Sequence, residues 1–254
     1  MLCLCKYNAR NVFRQLEDKY AFYQMNKKYF KRNILKIDKV SEYEQFSNFV
    51  HTNKNFIMKP LSGQCGEGIS IYKEVNSNLD QLFSKFKSIS GGVVLETLVV
   101  QSKIMAIWNE TSVNTVRIPS FRTRKGIYVL QPFLRTGRYG SCVDNGGSGG
   151  IFAVIDDKTG IVITDGCNER RQHFIEHPDS HVIYRGWQVP NWDELMSLVK
   201  EIHSNLPSDF YYVGFDFAFT DYGWVLIEGN WGQFVGQYCN QQGVRKEFTK
   251  LIFS

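Results

Sequence analysis

Lys59-Pro-Leu-Ser-Gly-Gln-Cys-Gly-Glu-Gly68 is the stretch of sequence that decides the fold. Short β-prone runs flank it, residues 56–59 before it and residues 69–72 after it, which predicts a strand, a glycine-rich loop and a second strand. Glycines in such a loop let backbone N–H groups approach phosphate oxygens, and the lysine adds a positive charge at the strand end. The stretch therefore indicates a phosphate-binding hairpin, although an ordinary hairpin turn that uses glycine has the same composition.

Other nucleotide-binding motifs with glycine-rich loops fit less well. A dinucleotide fingerprint or a Walker loop opens a helix, whereas this loop runs into a strand. In protein kinases the lysine follows the loop and a His-Arg-Asp segment comes later, and the sequence has neither in place. These motifs are therefore disfavoured.

A second group of polar residues lies near the C-terminus, in Gly214-Phe-Asp216 and Trp224-Val-Leu-Ile-Glu228-Gly-Asn230. We predict a hairpin of residues 213–219 and 224–227, with Glu228 and Asn230 on one face by strand alternation. Carboxylates with an amide are ligands that suit Mg²⁺. Solvated acids on a half-exposed strand are the alternative, but the flanking apolar runs predict burial, where a carboxylate needs a partner or a metal.

The rest of the chain predicts an α+β fold with antiparallel sheets rather than alternating βαβ units. Apolar spacing predicts helices over residues 11–35, 42–50, 79–86 and 192–203. Strands are predicted over residues 93–100, 115–121 and 127–134, and a hairpin over 151–155 and 161–164. Residues 146–150 are glycine-rich and predict a loop.

Composition limits the classes of protein to which this chain can belong. With 254 residues and 43% hydrophobic content, the chain can bury a core in one domain or two small lobes. The net charge of +5 suits an anionic ligand, but 25 acidic residues are interspersed, so nucleic acid is not predicted. Without a signal peptide or a long apolar run, we expect a cytoplasmic protein with no transmembrane segment. The six cysteines form no CxxC pair and indicate ordinary thiols.

Together these motifs resemble a known superfamily. Lys59-Pro with its glycine loop, Glu96 at a strand end and Glu228-Gly-Asn230 resemble ATP-grasp proteins. Five further segments narrow the resemblance to the sugar-transfer-associated ATP-grasp proteins of surface and capsular polysaccharide clusters: Ser112-Val-Asn-Thr-Val-Arg-Ile118, Leu134-Arg-Thr-Gly137, Val143-Asp-Asn145 with Gly149-Gly-Ile151, His177-Pro-Asp179 and Val189-Pro-Asn-Trp192. The resemblance covers residues 17 to 235.

The resemblance implies two α+β lobes that enclose a nucleotide cleft. The expected parts are a short N-terminal segment (1–18), an N-terminal lobe (19–98) and a C-terminal lobe (99–254), hinged near residues 96–100. It also implies an ATP- and Mg²⁺-dependent ligase that joins a carboxylate and an amine through an acyl phosphate, on a sugar or polysaccharide precursor, in association with a polysaccharide assembly complex. A kinase acting on a sugar hydroxyl and a non-catalytic nucleotide-binding accessory protein are the alternatives.

Site residues carried over from the resemblance fall into four sets. Lys19, Lys59 and the loop glycines Gly63, Gly66 and Gly68 would contact the ATP phosphates; Glu96, Thr97 and Leu98 would contact adenine; Asp216, Glu228 and Asn230 would hold Mg²⁺; and Arg117 would bind the transferring phosphoryl group, with Arg135, Asn114, Asp144 and Asn145 as weaker candidates for the same pocket. A guanidinium stays charged and binds such oxygens bidentately, although a surface ion pair is the alternative for each arginine.

Lys103 departs from the family pattern, and three histidines suggest a further site. Lys103 occupies the position where many ATP-grasp proteins have an acidic ribose contact. His173, His177 and His181 follow one another at four-residue steps, which would suit zinc on a helix, but Pro178 would break that helix. We therefore expect a structural or substrate-side role for His177.

Overall fold

The protein is described by a computed structural model that covers residues 10–61, 68–232, 235–241 and 243–253. It contains two compact units: the smaller is Gln15–Val99, and the larger is Val100–Ser254 with Met1–Arg14. Gly63 and Gly66 lie outside the described residues. The chain passes from the smaller unit to the larger between Val99 and Val100, and a hinge at this point stays a prediction.

A four-stranded antiparallel sheet forms the frame of the smaller unit, with the strand order β1-β4-β2-β3. After α1 (Arg10–Glu17), its elements are α2 (Lys19–Phe30), β1 (Ile34–Ile37), α3 (Tyr43–Thr52), β2 (Phe56–Pro60), β3 (Ser70–Tyr72), α4 (Leu79–Ser88) and β4 (Val93–Thr97). The apolar faces of α3 and α4 pack on this sheet around Phe46, Phe56 and Phe86, which are fully buried. Burial of these large rings is the main stabilising contribution to the unit.

The single helix predicted over residues 11–35 is wrong. Asp18 separates α1 from α2, because its side-chain oxygen accepts hydrogen bonds from the backbone N–H groups of Tyr20 and Ala21, both at 3.0 Å. Lys31 then ends α2 in the left-handed conformation. The last residues of the predicted helix begin β1, which pairs with β4.

An eight-stranded antiparallel sheet forms the frame of the larger unit. Its main order is β10-β9-β8-β7-β5-β11-β12, and β6 pairs with β5. The elements are α5 (Lys103–Ala106), β5 (Thr115–Thr123), β6 (Gly126–Val129), β7 (Phe133–Thr136), β8 (Ile151–Val154), β9 (Gly166–Cys167), β10 (His173–Phe174), α6 (Trp192–Asn205), β11 (Tyr212–Thr220), β12 (Gly223–Asn230), α7 (Gly236–Asn240) and α8 (Arg245–Phe253).

In three segments of the chain the observed secondary structure differs in detail from the prediction. The strand predicted over residues 127–134 is two strands, β6 and β7, because Gln131 adopts a positive φ of 48° and Pro132 follows it. β4 ends at Thr97, three residues before the predicted strand end. The predicted loop at 146–150 contains a short 3₁₀ helix, Gly146–Ser148.

Only the first arm of the hairpin predicted over 151–155 and 161–164 is a strand, β8, and the second arm forms isolated bridges, Ile155 with Val162 and Ile161 with Gln188. The α+β prediction is confirmed. The hairpin of β11 and β12 and the helix α6 lie where apolar alternation and helical spacing predict them. His203 on α6 is buried against β5, where its imidazole hydrogen-bonds to the hydroxyl of Ser120 at 2.7 Å. Among the described residues, no helix combines the length and the apolar character that crossing a membrane requires.

Candidate active site

The first polar cluster lies in the smaller unit and joins β2 to β4. Ile57 faces Glu96 across these antiparallel strands, so Lys59, two residues further on, shares the face of Glu96. Lys59 Nζ is 3.0 Å from one carboxylate oxygen of Glu96. Arg32 Nη2 is 2.6 Å from the other oxygen. Two cations therefore hold one buried carboxylate.

Glu96 remains ionised in this cluster. Burial by itself raises the pKa of its carboxyl group, but the charges and hydrogen bonds of Lys59 and Arg32 outweigh burial and lower the pKa to about 2. With one negative and two positive charges, the cluster is net positive. A lysine ammonium has three N–H donors, so Lys59 can keep its contact with Glu96 and still donate to a phosphate oxygen.

The structure also places the other residues of this unit that were predicted to contact the nucleotide. Lys19 is the first residue of α2, and Leu98 directly follows β4. The hydroxyl of Thr97 donates to Asn53 Oδ1 at 3.0 Å. Gly68 has a φ of +73°, and a Cβ at this position would lie 2.8 Å from Pro60 Cγ, so only glycine fits here.

The positions of these residues do not establish contacts with a nucleotide. Both carboxylate oxygens of Glu96 already accept from Arg32 and Lys59. Contacts of residues 96–98 with adenine, and of Lys19 and Gly68 with phosphate, therefore remain proposals. Lys103, at the start of α5, is exposed.

The second polar cluster lies on neighbouring strands of the larger sheet. Asp216 on β11 faces Arg117 on β5 on one side and Glu228 on β12 on the other. Arg135 on β7 faces Thr115, two residues before Arg117, so both arginines share one face. Strand register thus gathers two arginines and two acids that are distant in sequence.

Asp216 accepts hydrogen bonds from both arginines. Arg117 donates through Nε to Oδ1 and through Nη2 to Oδ2, the latter at 2.8 Å. Arg135 Nη1 donates to Oδ2 at 2.7 Å, and its Nη2 is 3.0 Å from Asp144 Oδ1. Since Arg117 and Asp216 are buried, this bidentate pair is the strongest polar contact of the cluster.

The charges of the cluster shift its pKa values in opposite directions. Burial raises the pKa of Asp216, but Arg117 and Arg135 outweigh it, so the pKa lies below its usual value. For Asp144, burial outweighs the effects of Arg135 and Thr115, and the pKa is raised. With Glu228 counted, three acids surround two arginines, so the fully ionised cluster has a net charge of −1.

Glu228 and Asn230 offer the oxygen atoms that suit magnesium. Asn230 Nδ2 lies 3.1 Å from Glu228 Oε1 and 3.5 Å from Asp216 Oδ2, and both residues are half-buried. Mg²⁺ takes one or two protein carboxylates together with substrate phosphates, so Glu228 and Asn230 fit it. Asp216 is adjacent, but both of its oxygens accept from arginine. Counting only His, Cys, Asp and Glu, the described residues contain no group of three or more that could hold a metal ion.

The three histidines do not converge. His177 is buried and its Nε2 lies 2.9 Å from the carbonyl oxygen of Gly137, while burial lowers its pKa. His181 is exposed and pairs with Glu176 at 2.7 Å. His173 lies on the short strand β10. His177 thus has structural contacts, in a region packed around Trp108.

Sequence reasoning missed Arg32 and left the contacts of Asn114 open. Arg32, the second partner of Glu96, was hidden because residues 11–35 were predicted as one helix. Asn114, a weaker candidate for the phosphoryl pocket, is fully buried: its amide donates to Gln101, Met105 and Asn109, and it accepts from the backbone N–H of Gly137. These bonds tie the start of β5 to the end of β7, and so support Arg117 and Arg135.

Several solved structures share the fold of this chain. The chain is similar to N5-carboxyaminoimidazole synthase from Aspergillus clavatus in complex with ADP and 5-aminoimidazole ribonucleotide (TM-score 0.55, 8% identity, 91% of this chain and 48% of that chain). It is also similar to the N5-carboxyaminoimidazole synthetase from Staphylococcus aureus complexed with ADP (TM-score 0.55, 11% identity, 92% and 50%) and to D-cycloserine synthetase (TM-score 0.50, 10% identity, 88% and 65%).

These similarities show the fold alone, which is that of ATP-grasp proteins, as predicted. The chain spans about half the length of the synthases that it matches. The family model of sugar-transfer associated ATP-grasp matches residues 4–252, so the chain belongs to that family, and the resemblance seen in the sequence is confirmed. No curated protein sequence matches the chain significantly.

Proposed function

We propose that this chain is an ATP- and magnesium-dependent carboxylate–amine ligase that acts in the cytoplasm on a sugar or polysaccharide precursor. The observation that supports it most is the second cluster, in which Asp216 orients two guanidinium groups directly beside Glu228 and Asn230. Cations suited to an acyl phosphate thus lie next to oxygen ligands suited to Mg²⁺. Membership of a family named for sugar transfer supports the substrate class.

The proposed reaction has two steps. A carboxylate oxygen of the acid attacks the γ-phosphorus of ATP, the bond to the bridging oxygen breaks, and ADP leaves. The amine nitrogen then attacks the acyl carbon, phosphate leaves, and the nitrogen loses a proton to give the amide. The protein contributes positioning and charge, because all bonds form and break among the substrates.

In this proposal Arg117 binds the transferring group. A guanidinium has five N–H donors, and Asp216 takes two of those of Arg117, so others remain for an oxyanion. Asp216 positions Arg117 and Arg135, and Lys59 contacts the phosphates while Glu96 orients it. Glu228 and Asn230, with Asp216 beside them, would hold Mg²⁺, which neutralises charge on the phosphate oxygens.

The nucleotide site is tested by calorimetric titration with a non-hydrolysable ATP analogue, with and without Mg²⁺. Wild type should bind more tightly with Mg²⁺, and Glu228→Gln should lose about tenfold or more in that affinity because it removes a ligand charge. Glu110→Gln, an exposed glutamate of the same unit, is the matched control and should bind like wild type. Affinity that is independent of Mg²⁺, or equal in all three proteins, would contradict the proposal.

Product analysis distinguishes the reaction classes. Phosphate release that requires both a carboxylate and an amine supports the ligase. Phosphate that remains on a product hydroxyl would identify a kinase instead. Nucleotide binding without turnover for any acid and amine pair from a panel of sugar acids, amino sugars and amino acids would favour the accessory protein.

A further inference from the structure

A cavity of about 780 Å³ lies in the smaller unit, where the end of α2 approaches the end of β4. Its lining includes a run of basic residues from α2 and the segment after it, together with an aromatic and an aliphatic side chain: Lys27, Lys28, Lys31, Arg32, Tyr23 and Leu98. None of the lining residues in the described part of the chain is acidic. We call this cavity the lysine pocket.

The positive charge of the lysine pocket is only partly neutralised. Arg32 pairs with Glu96 at 2.6 Å. Lys28 Nζ lies 4.5 Å from the ring centroid of Tyr29. Lys27 and Lys31 are exposed, and neither forms an ion pair within the residues that the structure describes. The pocket therefore retains ammonium groups that a bound anion could neutralise.

Lys31 is held in a conformation that lysine seldom adopts. Its φ of 48° and ψ of 30° lie in the left-handed region, at the C-cap of α2, where glycine or asparagine is usual. A left-handed residue is common at a helix end, and Gln241 ends α7 in the same way, so this conformation directs the chain without itself indicating a ligand. The strained position brings the Lys31 side chain to the pocket lining.

We propose that the lysine pocket binds a small molecule that carries a phosphate or diphosphate group. Ammonium groups act as point charges for phosphate oxygens, and several of them favour a multiply charged anion. The volume is in the range of small-molecule pockets and exceeds the size of phosphate alone. The group that carries the phosphate lies against Tyr23. The lysines of this pocket are separate from the proposed ATP phosphate contacts at Lys59, although Thr97 and Leu98, which are proposed to contact adenine, also border it.

The helix dipole offers a simpler explanation for part of this charge. Lysines in the last turn of a helix stabilise its negative end, which accounts for Lys27 and Lys28 without a ligand. It does not account for Lys31, which lies beyond the last turn of α2 and also lines the pocket. Nor does it account for a concave lining that collects the basic residues around one cavity.

The test is calorimetric titration of the full chain with sodium pyrophosphate at low ionic strength. The pocket variant is Lys27→Gln/Lys31→Gln, and the matched control is Lys39→Gln/Lys54→Gln, which removes equal charge from exposed positions of the same unit. We expect the pocket variant to bind about tenfold more weakly or worse, and the control to bind like wild type. Binding should weaken as salt is added.

Vesicles distinguish a lipid phosphate from a soluble one. The same proteins are sedimented with phosphatidylcholine vesicles that contain phosphatidic acid. Cosedimentation that is lost in the pocket variant assigns a lipid headgroup, and pyrophosphate binding without cosedimentation assigns a soluble ligand. Both results support the phosphate site.

A single substitution separates binding from folding. Lys31→Gly should raise the melting temperature by relieving the backbone strain and should weaken pyrophosphate binding by removing the charge. Unchanged affinity in this variant would limit Lys31 to a role in the fold.

Two outcomes overturn the proposal. Equal pyrophosphate affinity in wild type, pocket variant and control would show that the lysine pocket is not the site. Loss of ATP-analogue binding together with pyrophosphate binding in the pocket variant would place these lysines in the nucleotide site. Failure of the proposed ligase would be seen separately, as absent Mg²⁺-dependent nucleotide binding, and would leave the pyrophosphate result intact.

Discussion

The two polar clusters are built alike but carry opposite net charge. Each centres on a buried carboxylate that two cations hold: Glu96 with Arg32 and Lys59 in the smaller unit, and Asp216 with two arginines in the larger. Among the described residues, the smaller cluster has no second acid, so it is net positive. Additional acids beside Asp216 make the larger cluster net negative when all of them are ionised.

This difference separates two chemical tasks. A net positive cluster suits phosphate oxygens, whereas a net negative cluster with carboxylate and amide oxygens suits a divalent cation. In both, the central carboxylate is shielded and keeps its neighbours oriented. The buried pairs therefore maintain the geometry, and the half-buried residues beside them remain accessible to ligands.

The largest effect is expected from breaking the centre of the larger cluster. Asp216→Ala leaves the Arg117 guanidinium buried without its counter-ion, while Arg135 keeps Asp144, so the free energy of unfolding should fall by about 3–5 kcal/mol. Urea denaturation at neutral pH measures this change. Asp221→Ala, at an exposed turn position between β11 and β12, is the control and should stay within about 0.5 kcal/mol of wild type. An equally small effect for Asp216→Ala would mean that Arg117 has another partner in the variant.

The pH dependence of stability tests the cluster of the smaller unit, through the buried carboxylate of Glu96. The pKa of Glu96 falls from 4.5 to about 2 on folding, so its contribution is fully present above pH 4.5 and is lost as the pH drops toward 2. This contribution is about 3 kcal/mol. Urea unfolding across this window should show a steeper loss for wild type than for Glu96→Gln.

Glu44→Gln serves as the control for that titration, because Glu44 is exposed on α3 of the same unit. It should follow the wild-type curve. An identical acid dependence in Glu96→Gln and wild type would show that Glu96 is not the carboxyl group responsible.

A smaller effect on stability is expected at Lys59. Substitution there should lower nucleotide affinity more than it lowers the free energy of unfolding. Lys59→Met leaves Glu96 paired with Arg32, so we expect a loss of only about 1–2 kcal/mol in unfolding free energy. Affinity for the ATP analogue should fall by about tenfold or more, since a phosphate contact is removed. Arg32→Met is the matched variant: it should cost similar stability and keep the nucleotide affinity, and equal affinity losses in both would argue against a phosphate contact specific to Lys59.

Sequence patterns predicted much of the fold because many elements have one apolar face. The hairpin of β11 and β12, the strands around the glycine loop and helices α3, α4 and α6 all follow such periodicity. The patterns failed where a local signal overrode periodicity. Asp18 begins a new helix by capping it, and Gln131 with Pro132 interrupts a continuous apolar run.

The candidate site was likewise predicted in part: the sequence indicated residues but not their contacts. Residue type and spacing identified Lys59, Asp216, Glu228 and Asn230 as candidates, and the resemblance added the arginines. Nothing in the sequence indicated that Asp216 would accept from both Arg117 and Arg135, or that Glu96 would lie between Lys59 and Arg32. Those contacts depend on which strands are neighbours and in which register they pair.

By itself, then, the sequence determined the α+β class, most strands and helices, and the chemical types of residue in each cluster, because local periodicity and residue chemistry are properties of short segments. Tertiary structure alone decided the partners of each charge and the presence of the lysine pocket. Arg32 reaches Glu96 across 64 residues, and Arg117 reaches Asp216 across 99. Burial and pKa arise from such long-range pairing, since a carboxylate can be buried and ionised only where the fold brings a cation to it.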